Sequence, residues 1–429
     1  MSTSNSGFRD FSPLASTHRE FMRKKMAQIV EMYGYQRIET SAVENLSFLL
    51  GKYGNEGDAL IYRIRQSEEK DAKYGLRYDM TLPLARYYAR FRNELLMPFR
   101  RYQYGKVYRG DRPQANRYRE FEQFDFDVIG VSDATVEAEL LSIAHSIYHG
   151  LGITATFHIN NRNLVKGIYI ALFGDNWDKF NDFITLIDKS DKIQKTDILS
   201  SLLKMGAMST PANSLVTLKD KQNIDIHSIE KLFENEYTRL GVNEIELVLD
   251  RLSWVFEYPL DIKTVIDPFM VRGLDYYTGC IFEAYSNIIE VSIGGGGRYD
   301  KLFLDNVNQD IPAAGFSIGF DRVFDISYTE EKYPPFKYTK VILVGVSEGM
   351  EKEAYQYTAR LRYSGDYKVI VYPNKSRNPV KQIEYAEKIG AKYFVFFDAE
   401  QYSHDKLTIR NMESKEVEVY PTYRIPILR

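Results

Sequence analysis

Phe121-Glu122-Gln123-Phe124-Asp125-Phe126-Asp127-Val128 is the stretch on which the fold turns. Read as a strand, it puts Phe124, Phe126 and Val128 on one face and Gln123, Asp125 and Asp127 on the other, because side chains alternate with period two. Three polar groups in register on an otherwise apolar strand need water or a ligand. Such a row suits a cleft floor that binds an ammonium group or an imidazole.

The stretch just upstream, Tyr102-Gln103-Tyr104-Gly105-Lys106-Val107-Tyr108-Arg109, alternates as well. Residues 110–117 would then join two antiparallel strands and carry Arg112, Pro113, Gln114 and Arg117. A long basic hairpin with one amide side chain can reach a nucleic-acid backbone and read a base edge. Between Arg86 and Arg119 ten basic residues face two acidic ones, a local charge of +8. Glu120, Glu122, Asp125 and Asp127 follow with −4. A charge run alone reads as a solvated hairpin, or as a site that holds polyanion and cation side by side.

Outward from this hairpin, the chain of 429 residues predicts two or three domains. With 44% hydrophobic residues it has the composition of a globular protein, and its total charge of −3 gives no advertisement of nucleic-acid binding. A single cysteine excludes an intrachain disulfide framework and a cysteine-cluster zinc site. The polar N-terminus lacks the pattern of a signal peptide, and no apolar run approaches the roughly 20 residues of a membrane helix. A cytoplasmic protein is expected, with no membrane partner.

Thr17-His18-Arg19-Glu20 reads as a capping box opening an amphipathic helix that Gly34 ends. Short strands dominate as far as about Ile129, with one helix near 82–92; residues 133–150 form another helix and 153–159 a strand. From about 163 to 256 helical periods take over, which reads as a helical insertion. Strands return at 280–285 and 290–293, followed by Gly294-Gly295-Gly296-Gly297. That run permits close backbone approach to a ligand but is neither a P-loop nor a dinucleotide fingerprint. Residues 331–338, with Pro334-Pro335, read as a linker; beyond it, over 339–429, strands alternate with helices as in a small α/β domain.

The stretch 271–279 puts Arg272 beside Gly273, and Asp275, Tyr276 and Tyr277 between Gly273 and Gly279; 315–322 reads as a glycine-spaced strand feeding a helix with Arg322 in its first turn. Taken in order, these segments resemble the histidyl-tRNA synthetase family of class II aminoacyl-tRNA synthetases. Tyr108-Arg109-Gly110-Asp111 with Arg119-Glu120-Phe121 is similar to class II motif 2, and Gly315-Phe316-Ser317-Ile318-Gly319-Phe320-Asp321-Arg322 to motif 3. Arg272-Gly273-Leu274-Asp275-Tyr276-Tyr277-Thr278-Gly279 resembles the signature of the histidine enzymes. The chain departs at motif 1, where Glu39-Thr40-Ser41-Ala42-Val43-Glu44 lacks the usual proline. Asp79 and Asp127 stand where many bacterial members carry Glu.

The resemblance implies an α+β class II synthetase catalytic domain over 1–330, an antiparallel sheet flanked by helices. A C-terminal α/β anticodon-binding domain would complete the chain. It implies a histidine–tRNA ligase that binds ATP with Mg²⁺, L-histidine and tRNA(His), and that acts as a homodimer. The alternative is a catalytically inactive paralogue serving as a regulatory subunit or RNA-binding sensor. By the same resemblance Arg109 and Arg272 are catalytic, and Arg109, Asp111, Arg119, Phe121 and Arg322 bind ATP. Asp79, Thr81, Gln123, Asp127, Arg272, Tyr276 and Tyr277 would bind histidine. Arg112, Gln114 and Arg117 would meet the tRNA acceptor end. No protein metal ligand is implied. The segment 331–429 carries 17 basic and 13 acidic residues, consistent with phosphate contact. His145 and His149 share a helix face without a third ligand, and Cys280 reads as a small packed residue.

Overall fold

A computed structural model describes the chain except residues 1–4, 53, 68, 220, 222–223, 256–261, 272–275, 329–340, 364–367, 373–378 and 422–429. Two compact units emerge, Met1–Tyr328 and Thr329–Arg429. The expected linker at 331–338 and the signature residue Arg272 lie outside the described residues.

The first unit is built on eight strands, in the order Gln36–Arg37, Phe99–Tyr108, Glu120–Ile129, Ala313–Gly319, Ser292–Arg298, Cys280–Ser286, Ala155–Asn161 and Lys263–Ile266. The six central strands are antiparallel neighbours. The two edge strands pair in parallel, so the sheet is mixed where the sequence suggested antiparallel. Phe124, Phe126, Val128, Phe316, Phe282 and Ala284 are buried on one face, in a core shared with Met22, Met26 and Val30 of the first helix. Leu140, Leu141 and Ala144 of the helix Thr135–Gly150 belong to the same core. The helices between Arg162 and Val255 pack into it too, Arg162–Phe173 against Glu236–Val255.

Two expectations are corrected here. The first helix runs Pro13–Met32 and is capped by Ser12, whose side chain accepts from the Ala15 N–H. Thr17 bonds back to the Pro13 carbonyl inside that helix, so the Thr17–Glu20 spacing imitates a cap that Ser12 and an N1 proline supply earlier. The second correction concerns the four glycines. They lie inside the strand Ser292–Arg298, which continues past Ile293, where the sequence reading ended it. A Cβ at Gly294 would come 2.3 Å from the Tyr148 hydroxyl, and one at Gly296 2.1 Å from the Gly315 carbonyl, so neighbouring atoms have taken the side-chain space.

In the second unit a five-stranded sheet has the order Lys368–Val371, Val341–Val346, Tyr393–Phe397, Lys406–Asn411, Val417–Pro421. Its first three strands are parallel and the last two antiparallel. The helices Glu351–Tyr363 and Val380–Lys388 cross between strands. The apolar run at 341–346 is buried throughout, as a central parallel strand requires.

Candidate active site

The hairpin register brings the expected histidine-binding residues of the strand Glu120–Ile129 onto one face of the sheet. Arg101 stands opposite Asp127, Gln103 opposite Asp125, and Gly105 opposite Gln123. On the far side of the same strand, Gly315 faces Asp127, Ser317 faces Asp125 and Gly319 faces Gln123. These residues share the sheet face away from Phe124 and Phe126. A Cβ at Gly315 would stand 1.9 Å from Asp127 Oδ1, so glycine is what leaves room for that carboxylate.

Asp127 is buried and held from both oxygens. Arg101 Nη2 is 2.6 Å from Oδ2, and the Tyr299 hydroxyl donates to Oδ1. Burial raises the carboxyl of Asp127, while Arg101 and Tyr299 pull it back down. Asp125 beside it is pushed by burial up to about 7. Gln123 Oε1 is buried and accepts no hydrogen bond among the described residues, as a group awaiting a ligand would be.

Asp79 and Thr81 begin the helix Thr81–Phe91, where Asp79 Oδ1 accepts from the backbone N–H groups of Thr81 (3.0 Å) and Leu82 (3.2 Å). That fixes one carboxylate oxygen at the helix N-terminus. The Tyr276 hydroxyl donates to that of Tyr277 at 3.1 Å. Burial is the main cause that raises both phenols; the charge of Asp79 acts on Tyr276 and that of Asp127 on Tyr277. Asp79, Thr81, Tyr276 and Tyr277 line a cavity of about 750 Å³, with Arg162, Lys166 and Lys301 around it.

The expected phosphate side is organised by backbone contacts. Arg109 follows the strand Phe99–Tyr108, donates from Nε to the Tyr78 carbonyl at 3.1 Å and lies 5.2 Å from the Phe121 ring centroid. Arg119 Nε donates to the Asp111 carbonyl at 3.0 Å. Arg322, in the first turn of the helix Phe320–Ser327, donates to the carbonyls of Asn116 (3.0 Å) and Ser292 (2.6 Å), joining the hairpin tip to the glycine strand. Asp111 pairs with Arg117 Nη2 at 2.7 Å, which ties it to the hairpin. Arg112, Gln114 and Arg117 are exposed, with Gln114 and Arg117 bridged across the turn.

The +8 block is not a free electropositive surface. Arg86 pairs with Glu44, Arg100 with Glu139, Arg101 with Asp127, Lys106 with Glu120 and Arg117 with Asp111. Nor does the whole acidic strand reach the floor. Glu122 lies on the opposite face, clamped by Arg19 and Arg23 of the first helix. Arg101 and Tyr299 were not anticipated; Arg101 lies one residue before the stretch read as alternating, and Tyr299 lies beyond the glycine run. The His145 and His149 rings are 6.1 Å apart, and the described residues hold no group of three metal-ligating side chains. Cys280 is buried and burial pushes its thiol up, which keeps it a thiol.

A family model described as histidyl-tRNA synthetase matches residues 7–323, and one described as an anticodon binding domain matches 340–425. The chain belongs to the histidyl-tRNA synthetase family. The histidine–tRNA ligase of Phocaeicola vulgatus is 33% identical, over 96% of this chain and 95% of its own length. That of Finegoldia magna is 32% identical over 93% of this chain and 92% of its own. The crystal structure of histidyl-tRNA synthetase from Nostoc superposes with a TM-score of 0.81 at 27% identity, covering 98% of this chain and 96% of that one. An ATP phosphoribosyltransferase regulatory subunit/histidyl-tRNA synthetase from Bacillus halodurans, at 19% identity and a TM-score of 0.73, shares the fold. As a member of the histidyl-tRNA synthetase family, the chain is a class II aminoacyl-tRNA synthetase with ATP-dependent chemistry.

Proposed function

We propose a division of labour among the residues of this chain, a class II histidine–tRNA ligase. In the first step the histidine carboxylate attacks the α-phosphorus of ATP and pyrophosphate leaves. In the second, the 3′-terminal hydroxyl of tRNA(His) attacks the histidyl carbonyl and AMP leaves. Negative charge builds on phosphate oxygens in the first step, so positioned cations carry it. Arg109 takes the carboxylate and α-phosphate, and Arg272 shares in stabilising the charge of the transition state. Phe121 and Arg322 stack on the adenine, while Arg119 and Arg322 reach the outer phosphates and Asp111, paired with Arg117, completes the ATP site. Arginine suits these posts because its planar fork bonds oxyanions in pairs and stacks on rings. Mg²⁺ arrives with ATP, bound mainly through phosphates and water.

Asp79, Thr81 and Gln123 take the α-amino group, and Asp127 with Tyr277 takes the imidazole nitrogens beside Tyr276. The observation that carries this reading is the buried carboxylate of Asp127, pinned by Arg101 and Tyr299 with the glycine of Gly315 opposite. A site built to pair a polar side chain rejects an analogue lacking it by about 10⁴–10⁵. Selectivity for histidine then needs no editing step. Arg112, Gln114 and Arg117 meet the tRNA acceptor end, and the second unit binds the anticodon. A homodimer in the cytoplasm is the setting that the family resemblance and the single cysteine support. Charging of a tRNA(His) transcript with labelled histidine tests the assignment. Gln114→Ala should cut charging at least tenfold and leave histidine activation within twofold of wild type; an equal loss in both contradicts the acceptor role.

A further inference from the structure

Arg101 is among the largest fully buried side chains of the protein, with none of its surface exposed. A buried guanidinium is expensive unless its donors are met. Here Nη2 forms an ion pair with Asp127 Oδ2 at 2.6 Å, yet Nε, Nη1 and Nη2 all lack a hydrogen-bond acceptor among the described residues. A residue that costs stability in this way is retained for what it does to its neighbours. Its neighbours are two carboxylates: Asp127 directly opposite, which the proposed function assigns to the imidazole, and Asp125 two residues before it on the same face.

We propose that Arg101 is a positioning residue for histidine recognition, fixing the point at which Asp127 accepts the imidazole N–H. Asp127 has a single methylene between backbone and carboxylate, so it cannot swing to find a ligand. Its place is set by residues on both flanking strands and by Tyr299, just past the end of the strand Ser292–Arg298. Arg101 holds Oδ2 from one side, the Tyr299 hydroxyl holds Oδ1, and the backbone of Gly315 lies against the carboxylate from the other side.

Charge makes the arginine necessary. Asp125, Asp127 and Asp79 interact, and burial favours the protonated form of the first two. Arg101 opposes that in both. A protonated Asp127 would present a donor to the imidazole where an acceptor is needed. Arg101 is the internal cation that opposes the protonation of Asp127 and so favours its acceptor form.

The inference rests on the assignment of Asp127 to the imidazole and is tested beside it. Histidine-dependent ATP–pyrophosphate exchange is measured for wild type, Arg101→Met, Arg101→Lys and Asp127→Asn, with thermal melts to establish folding. Arg101→Met should raise the KM for histidine at least thirtyfold while the KM for ATP stays within threefold of wild type. Arg101→Lys, which keeps the charge and loses the planar fork, should fall between the two and also carries the test if the methionine variant does not fold. A folded Arg101→Met with an unchanged histidine KM would overturn the inference, as would Arg101→Lys within twofold of wild type. So would equal rises in the two KM values, which would mark a merely structural role. If Asp127→Asn leaves the histidine KM unchanged, the reading of the pocket itself fails. If Asp127→Asn raises it and the Arg101 variants do not, only the role of Arg101 fails.

Discussion

Asp125 shows how much chemistry a single floor residue carries. Burial pushes its carboxyl from the ordinary 3.8 up to about 7, with Asp127 and Asp79 adding to the rise and Arg101 and Ser317 opposing it. A folded-state value above the unfolded one means that the native protein holds more protons than the unfolded chain between about 4 and 7. The stability attributable to this group therefore falls as pH rises through that window, and its cost is fully present above about 7. Asp125→Asn removes the cost. In thermal melts its advantage over wild type should grow from pH 4 to pH 7 and then level off; an offset independent of pH would contradict the assignment. At this scale the sequence was partly legible. Period-two alternation placed Gln123, Asp125 and Asp127 on one face, because that pattern is a property of the strand itself. Arg101 and Tyr299 escaped because they act through pairing register and through a strand that continues past its glycines, and neither is written in local periodicity.

Among the elements, the glycine strand Ser292–Arg298 makes the sharpest claim. Its alternate positions face different constraints. A Cβ at Gly296 would strike the Gly315 carbonyl at 2.1 Å, and backbone cannot yield cheaply. At Gly295 the nearest atom is the Phe282 carbonyl at 3.1 Å. Gly296→Ala should therefore lose about 3 kcal/mol or fail to fold, and Gly295→Ala about 1 kcal/mol, as urea titration would measure. Equal costs would contradict the strand placement. The first helix offers a second lesson at this scale. Its Arg19, nearly buried, bridges Glu122 at 2.9 Å and Asp321 at 2.6 Å, coupling the motif 2 strand to the motif 3 helix behind the expected adenine site. The sequence showed the helix, since its apolar spacing is local. It did not show the clamp, which depends on residues about 100 and 300 positions apart.

The whole molecule divides its work between two units with separate cores, Met1–Tyr328 and Thr329–Arg429. The change of texture after residue 338 made two domains legible, because a parallel α/β pattern differs from short antiparallel strands. The balance of charge was less legible. A run of ten basic residues read as a solvated hairpin or as a site holding polyanion and cation side by side, but half of them pair with carboxylates, four of these from other elements. The proposed function draws on Arg109, Arg112 and Arg119 of that run. A protein ending at Tyr328 should keep histidine-dependent pyrophosphate exchange within tenfold of the full chain and lose at least a hundredfold in tRNA charging. Loss of both in a folded fragment would mean that the second unit serves activation as well.

The central claim is that the pocket floored by Gln123, Asp125 and Asp127 selects histidine and presents it to ATP. ATP–pyrophosphate exchange with each of the twenty amino acids tests it most directly. Exchange supported by histidine, with every other amino acid at least a thousandfold weaker in kcat/KM, is the predicted result. A folded protein that shows no exchange with histidine, or exchanges equally well with another amino acid, would contradict it.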